Sequence, residues 1–335
     1  MQAYDFVKQE KCFVGIYDFS YAPFALGDAI TWQMNLLIGA IDNGLENVVQ
    51  FIVADPSRSF SILQQHINKN NYVDYLNNLF PAFLCCPITS SIHLIKHKSD
   101  FDLFLLGNVL FKHPTWPSIK DHFNNNLDFI SHKKINKFFN QHNYLPRLTA
   151  PKSYENSMQS FLEKKCKNRF VVAVNIRNKM FYPDIHVDTN GAGTISRDSP
   201  FDEWLHFFKI AQDEYPDVIF LILGGYFTWA RELYNYNNVI IPRTMGLGLA
   251  HELTLLHNSN LFMGTSSGFS AVATFSKIPY IITNVEHRSA EFFGLSVGVS
   301  RHPFALDNQI LNWEKETTEL LLSLFGPMYE SIRKH

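Results

Sequence analysis

What this 335-residue chain lacks narrows its class first. Its four cysteines, Cys12, Cys85, Cys86 and Cys166, form no C-x-x-C pair and no closely spaced ladder, so a reduced, cytosolic protein is expected. Neither sign of charge prevails: 29 Lys and Arg stand against 31 Asp and Glu. That excludes the basic excess by which proteins grip nucleic acid. No apolar run approaches the roughly 20 residues that cross a bilayer, although peripheral contact with the inner face of the cytoplasmic membrane is compatible with this composition. The opening residues show no charged stretch followed by an apolar one, so no signal peptide is expected. The 14 histidines fall at no ligand spacing, so neither a metal nor another cofactor is expected. Internal repeats and low-complexity tracts are also missing.

What is present suits a large core. Hydrophobic residues make up 46% of the chain, with 30 Phe and 14 Tyr, which is material for packed interiors. The length suggests two domains. A strand over 12–17, a loop, a helix over 28–43 with apolar residues at helical spacing (Ile30, Met34, Leu37, Ile41) and a strand over 48–53 make a βαβ pattern. Residues 59–140 are less legible. A linker is expected over 144–154, where Pro146 and Pro151 interrupt periodicity. Beyond it strands are expected over 170–176, 218–223, 238–241, 260–263 and 279–283, alternating with helices. The helix after Ser199-Pro200 should take Ser199 as N-cap and Pro200 as its first residue. This half reads as a doubly wound α/β domain.

Several residues carry possible chemistry. The turn Gly264-Thr265-Ser266-Ser267-Gly268 leaves the carboxyl end of a strand and opens a helix, where backbone N–H groups and three hydroxyls suit a phosphate. The plain alternative is a small-residue turn for tight packing. The same five residues match G-x-S-x-G with Ser266 as a hydrolase nucleophile. Its acid and histidine would then have to be Glu286 with His287 or His302, or Asp307 with His335, and no oxyanion loop precedes it. Arg177 and Arg243 each follow a strand and could pair with phosphate oxygens or with surface acids. Gly224-Gly225 allows close approach of a ligand or simply ends a strand. Glu252 could hold ribose hydroxyls or be a solvated helix residue. Asp28, beside Gly27, could cap the first helix or act as a base. Asp100 and Asp102 form a D-x-D, read as chance.

The stretch from Pro242 to Asn284, with its E-L-x-x-L helix, GTSSG turn and P-x-x-x-T strand, resembles the donor-binding domain of GT-B glycosyltransferases. It is similar to the ADP-heptose transferases and to bacterial surface-polysaccharide glycosyltransferases. LGDAITWQMNLL resembles the G-D-x-[IVL] opening of heptosyltransferase-like proteins, whose aspartate is the catalytic base. Asn175-Ile176-Arg177 is similar to the H-x-R segment of GT-B fucosyltransferases, with asparagine in place of histidine. About half the chain is covered, chiefly 20–40 and 170–285.

The resemblance implies an α/β protein of two Rossmann-like domains facing a cleft. Residues 1–150 would bind a glycan or lipid-linked glycan acceptor, with Gly27 beside it. Residues 151–310 would bind a nucleotide-sugar, and 311–335 would be a terminal helix, either packing back on the first domain or ending the second. Asp28 would be the base of a metal-independent, inverting transfer. Thr265, Ser266, Ser267 and Gly268 would meet the diphosphate, Arg177 and Arg243 would support it, Gly224 and Gly225 would lie near it, Glu252 would hold ribose, and the backbone at Thr244 and Met245 would meet the base. A serine hydrolase and a non-catalytic nucleotide- or glycan-binding relative are the alternatives.

Overall fold

A computed structural model describes residues 11–60, 64, 66–100, 113–118, 132–177, 198–224, 231–287 and 289–334. The chain divides into two compact units, Met1–Thr149 and Ala150–His335.

In the first unit β1 (Phe13–Asp18), α1 (Leu26–Asp42) and β2 (Val48–Val53) form the expected βαβ pattern. They are followed by α2 (Tyr72–Leu79), β3 (Thr89–Ile95), β4 (Thr115–Trp116) and α3 (Lys133–His142). The strands are parallel, in the order β3-β2-β1-β4. Every residue of β1 and β2 is buried, as a sheet covered on both faces requires. Nearly the whole of α1 is also buried, Trp32 and Gln33 included. The Gln33 amide donates to Gln50 Oε1 at 2.8 Å, so the polar intruder in β2 has a partner. β3 falls in the less legible stretch 59–140, because its half-exposed residues lack a clean apolar run; the apolar run 101–111, which reads as a buried strand, lies outside the described residues.

The second unit carries α4 (Glu155–Cys166), β5 (Phe170–Asn175), α5 (Phe201–Glu214), β6 (Val218–Ile222), β7 (Val239–Ile240), α6 (Leu249–His257), β8 (Leu261–Thr265), α7 (Gly268–Thr274), β9 (Tyr280–Thr283), α8 (Ser289–Phe293), β10 (Gln309–Leu311) and α9 (Thr318–Arg333). All neighbours pair in parallel, in the order β10-β9-β8-β5-β6-β7. The chain winds outward one way from β5 through β6 and β7, then the other way through β8, β9 and β10. That is the doubly wound order, and its switch point lies between β5 and β8.

Aromatic packing holds this sheet's helices. Phe207 and Phe208 of α5 meet Phe220 at ring distances of 5.4 and 5.0 Å, and Phe325 of α9 meets Phe207 at 5.6 Å. The contacts of α9 within this unit are those of an ordinary last helix: Tyr329 donates to Asp217 at 2.6 Å, and Arg333 pairs with the same carboxylate at 2.9 Å. Two local expectations are corrected. Of the stretch 311–335 anticipated as terminal helix, Leu311 ends β10 and the helix α9 begins only at Thr318, and the N-cap of α5 is Pro200, in extended conformation. Ser199 is occupied elsewhere, as shown below.

Candidate functional site

In the second unit the polar side chains gather at the carboxyl ends of β5, β6 and β8. Gly264 pairs with Asn175 in the sheet. A Cβ there would lie 2.5 Å from the Asn175 carbonyl oxygen, so only glycine admits this close passage of strands. Asn175 ties the edge together. Its amide donates to the Leu223 carbonyl at 2.8 Å, and its Oδ1 accepts the Ser267 hydroxyl at 2.8 Å. The Ser266 amide donates to the Thr283 carbonyl and the Ser267 amide to Ser270 Oγ. Ser267 is the N-cap of α7.

These bonds change the expected roles within the turn. Thr265 is fully buried, which takes its side chain away from any ligand. The Ser267 proton is committed to Asn175. The Ser266 hydroxyl, by contrast, makes no hydrogen bond among the described residues. At the open first turn of α7 the amides of Gly268 and Phe269 also lack an intrahelical acceptor.

Glu252 also departs from expectation. It is fully buried rather than solvated. Its Oε1 accepts the Gly224 amide at 2.9 Å and its Oε2 lies 2.9 Å from Arg243 Nη2. Burial pushes its carboxyl up, and Arg243 opposes that. Both oxygens face protein groups, leaving none for ribose, so Glu252 instead anchors Gly224 and Arg243. Gly224 has φ of +129°, a conformation that favours glycine. Arg243 sits in a short 3-10 turn, Pro242–Met245, in which the Thr244 hydroxyl bonds the Ile241 carbonyl and Met245 is exposed. Arg177 follows β5 by two residues, and its carbonyl accepts the Ser199 amide at 2.7 Å. Gly225, Asp102 and His335 lie outside the described residues.

A third cluster went unnoticed in the sequence. Glu316, just before α9, is 1% exposed. Its Oε1 lies 3.1 Å from the Ser199 hydroxyl and 2.9 Å from that of Thr283, and Thr283 Oγ1 lies 3.2 Å from the Gly264 carbonyl.

The hydrolase alternative finds no support in this geometry. His302 is fully buried, stacked on Phe304 at 5.0 Å, and driven down to about 3 by burial. Asp307 pairs with Arg301, and His287 lies beside Trp313. No histidine is bonded to the Ser266 hydroxyl among the described residues.

In the first unit Asp28 lies in the opening turn of α1, while Ala25 holds the N-cap position. Asp28 is therefore no cap, although its charge suits a helix start. That charge also adds to burial in raising the Tyr17 phenol, whose hydroxyl donates to the Pro23 carbonyl at 2.7 Å. Gly27 is the neighbouring position, and its carbonyl accepts the Thr31 hydroxyl. Sequence reasoning missed the acids that end β1 and follow β2. Asp18, 2% exposed, accepts the Ser20 amide at 2.9 Å and Arg58 Nη1 at 3.0 Å. Asp55 accepts the Ser57 amide and hydroxyl and the Lys98 amide. Beside them opens a cavity of about 790 Å³, lined by Ser20, Ser57, Arg58, Phe60, Asn68 and Lys69 among others. Strand ends carrying acids were the only available signal. Among the described residues no three His, Cys, Asp or Glu side chains gather as a metal site, and no helix is long and apolar enough to cross a membrane.

Parallel sheets with polar groups gathered at their carboxyl edges define a Rossmann-like class of fold, here in two units. No family model matches the chain, and no curated protein matches it. Among solved structures it is similar to ADP-heptose lipopolysaccharide heptosyltransferase II of E. coli, at 10% identity and a TM-score of 0.50, over 97% of this chain and 100% of that one. It also aligns with a family 9 glycosyltransferase from Veillonella parvula, at 10% identity and a TM-score of 0.49, over 83% of this chain and 81% of the other. With the E. coli heptosyltransferase WaaC bound to ADP the figures are 8% and 0.49, over 95% and 99%. At such identity the likeness to heptosyltransferase II shows the fold, which is GT-B.

Proposed function

We propose that the protein is a glycosyltransferase that moves a sugar from a nucleoside-diphosphate donor to a hydroxyl of a bacterial surface glycan, lipopolysaccharide-like in kind. One observation carries the reading. At the switch point of the second sheet, Asn175, Gly264 and Ser267 are locked together, with an unbonded hydroxyl and an amide left at the turn, Arg177 after β5 and Arg243 after β7. Such an edge suits a ligand with a diphosphate, and the resemblance of the stretch 242–284 to donor domains points the same way.

The donor's diphosphate is held by Ser266, Gly268 and Arg177, with Arg243 fixed beside them by Glu252 and the base against Thr244 and Met245. The acceptor belongs to the first unit, where the cavity at Arg58 and Lys69 has the size and mixed lining of a small-ligand site. As the acceptor oxygen attacks the anomeric carbon, Asp28 takes its proton. The bond to the diphosphate breaks on the opposite face, its electron pair leaving with the diphosphate, and the configuration inverts. Charge developing on that leaving group is met by fixed donors, so the reading needs no metal.

A thermal-shift screen against UDP, GDP, ADP and CMP and their sugar conjugates, with and without EDTA, tests the donor site. A nucleotide at 100 times its Kd should stabilise by about 2.7 kcal/mol. Silence from all of them sinks the proposal, while binding without turnover on any acceptor favours a non-catalytic relative. Given an active pair, Asp28→Asn should lower kcat by about 10²–10⁴-fold with donor affinity unchanged; loss of affinity alone would make Asp28 a binding residue.

A further inference from the structure

Glu316 is a buried carboxyl that the proposed transfer does not use, and its surroundings pose a problem of proton supply. Thr283 Oγ1 carries a single proton, yet it lies within hydrogen-bond distance of two oxygens, the Gly264 carbonyl at 3.2 Å and Glu316 Oε1 at 2.9 Å. A carbonyl only accepts, and so does an ionised carboxylate. With Glu316 ionised, one of the two contacts would lack a proton, in a place where an unmatched polar pair is costly. Glu316 Oε2 is also buried with no hydrogen-bond partner. A protonated Glu316 resolves the conflict: Oε1–H donates to Thr283, Thr283 donates to the Gly264 carbonyl, and Ser199 still donates to the carboxyl.

We infer that Glu316 is a positioning residue that fixes the Gly264–Ser267 turn through Thr283 and the end of β5 through Ser199. Thr283 touches the turn twice. Its hydroxyl reaches the Gly264 carbonyl, and its own carbonyl accepts the Ser266 amide at 3.1 Å. Ser199 reaches the other side, since its amide donates to the Arg177 carbonyl. Glu316 therefore bridges the segments that carry Ser266 and Arg177. It is held in turn by the start of α9, where the Thr318 amide and hydroxyl donate to Glu203 at 2.7 and 2.6 Å. Burial pushes its carboxyl up, ahead of the opposing effects of its own amide, Thr283, Ser199 and Lys315.

The inference rests on the donor-site reading for its consequence but not for its geometry, so the experiment reads both separately. Hydrogen exchange of the turn peptide is measured in wild type, Glu316→Gln and Glu316→Ala, alongside the affinity for whichever nucleoside diphosphate the screen selects. With its Nε2 at the place of Oε1, glutamine carries two protons there, one for Thr283 and one for a Ser199 hydroxyl turned to accept it. It should leave exchange and affinity within about twofold, whereas alanine should speed exchange at the turn and weaken the nucleotide by about 10-fold each. An alanine variant with unchanged turn protection, or a glutamine variant as damaged as alanine, overturns the inference. If alanine prevents folding, Thr283→Val interrupts the same path, and its turn exchange decides. If wild type binds no nucleotide, the donor reading falls while the exchange data still judge Glu316.

Discussion

The two units meet the same problem, polar groups at the carboxyl edge of a parallel sheet, with acids buried to different depths. In the first unit each acid is surrounded by donors. Asp18 has the Ser20 amide and Arg58, and Asp55 has Ser57 and the Lys98 amide. In the second unit the carboxyls are buried deeper: Glu252 has one amide and one arginine, as Asp18 does, whereas Glu316 has two hydroxyls on a single oxygen. The lesson concerns charge. Donors around Asp55 hold its carboxyl below the usual range, whereas burial pushes Glu252 and Glu316 up.

Removing the cation from each unit puts the largest strain on this contrast. Arg243→Ala strands a fully buried Glu252, while Arg58→Ala strands Asp18, 2% exposed. Breaking a buried pair from one side costs about 3–5 kcal/mol. Both arginines retain some exposure, 23% for Arg243 and 32% for Arg58, so about 3 and about 2 kcal/mol are expected by urea denaturation at pH 7. At pH 5 the deficit of Arg243→Ala should shrink, because Glu252 is already pushed up by burial and can take a proton. A deficit that stays constant with pH would show that Glu252 remains charged.

A smaller effect is expected at Asn175, which links the two halves of the second edge. Asn175→Ala removes the bonds to Ser267 and Leu223, an expected loss of about 1–2 kcal/mol, together with weaker nucleotide binding by titration calorimetry. Unchanged affinity would detach Asn175 from the donor site. This residue also marks how far the sequence could be read. Strands β1, β2, β5, β6, β8 and β9 were legible because buried parallel strands are runs of apolar residues, and the GTSSG turn because its small residues cluster at a strand end. The bonds of Asn175, Glu252 and Glu316 were not. Apart from the Glu252–Arg243 pair, each joins residues 28 to 117 positions apart, and no spacing rule reaches that far. Glu252 sat at an ordinary helix position, where ribose binding and a solvated side chain were both open, and only the packing of α6 shows it buried. β3 and β10 escaped for the opposite reason, being half-exposed or very short.

The smallest effect tests the contrast in its purest form, as opposite pH slopes. Glu316 has its pKa raised above 4.5 by burial, so the folded state binds its proton more tightly than the unfolded state. Its contribution is fully present below that value and declines as pH rises towards the folded pKa. Asp55 behaves inversely. Burial alone would raise it, but the Ser57 hydroxyl and the Lys98 and Ser57 amides bring it below 3.8. Its contribution is present above that value and is lost as pH falls through the folded pKa. Urea midpoints followed from acid to neutral pH should therefore show Glu316→Gln flattening the decline above pH 4.5 and Asp55→Asn flattening the acid limb. Because the two substitutions act on different units and opposite limbs, their effects should add. If Glu316→Gln left the upper limb untouched, Glu316 would be ionised in the fold, and Thr283 could then serve only one of its two neighbours.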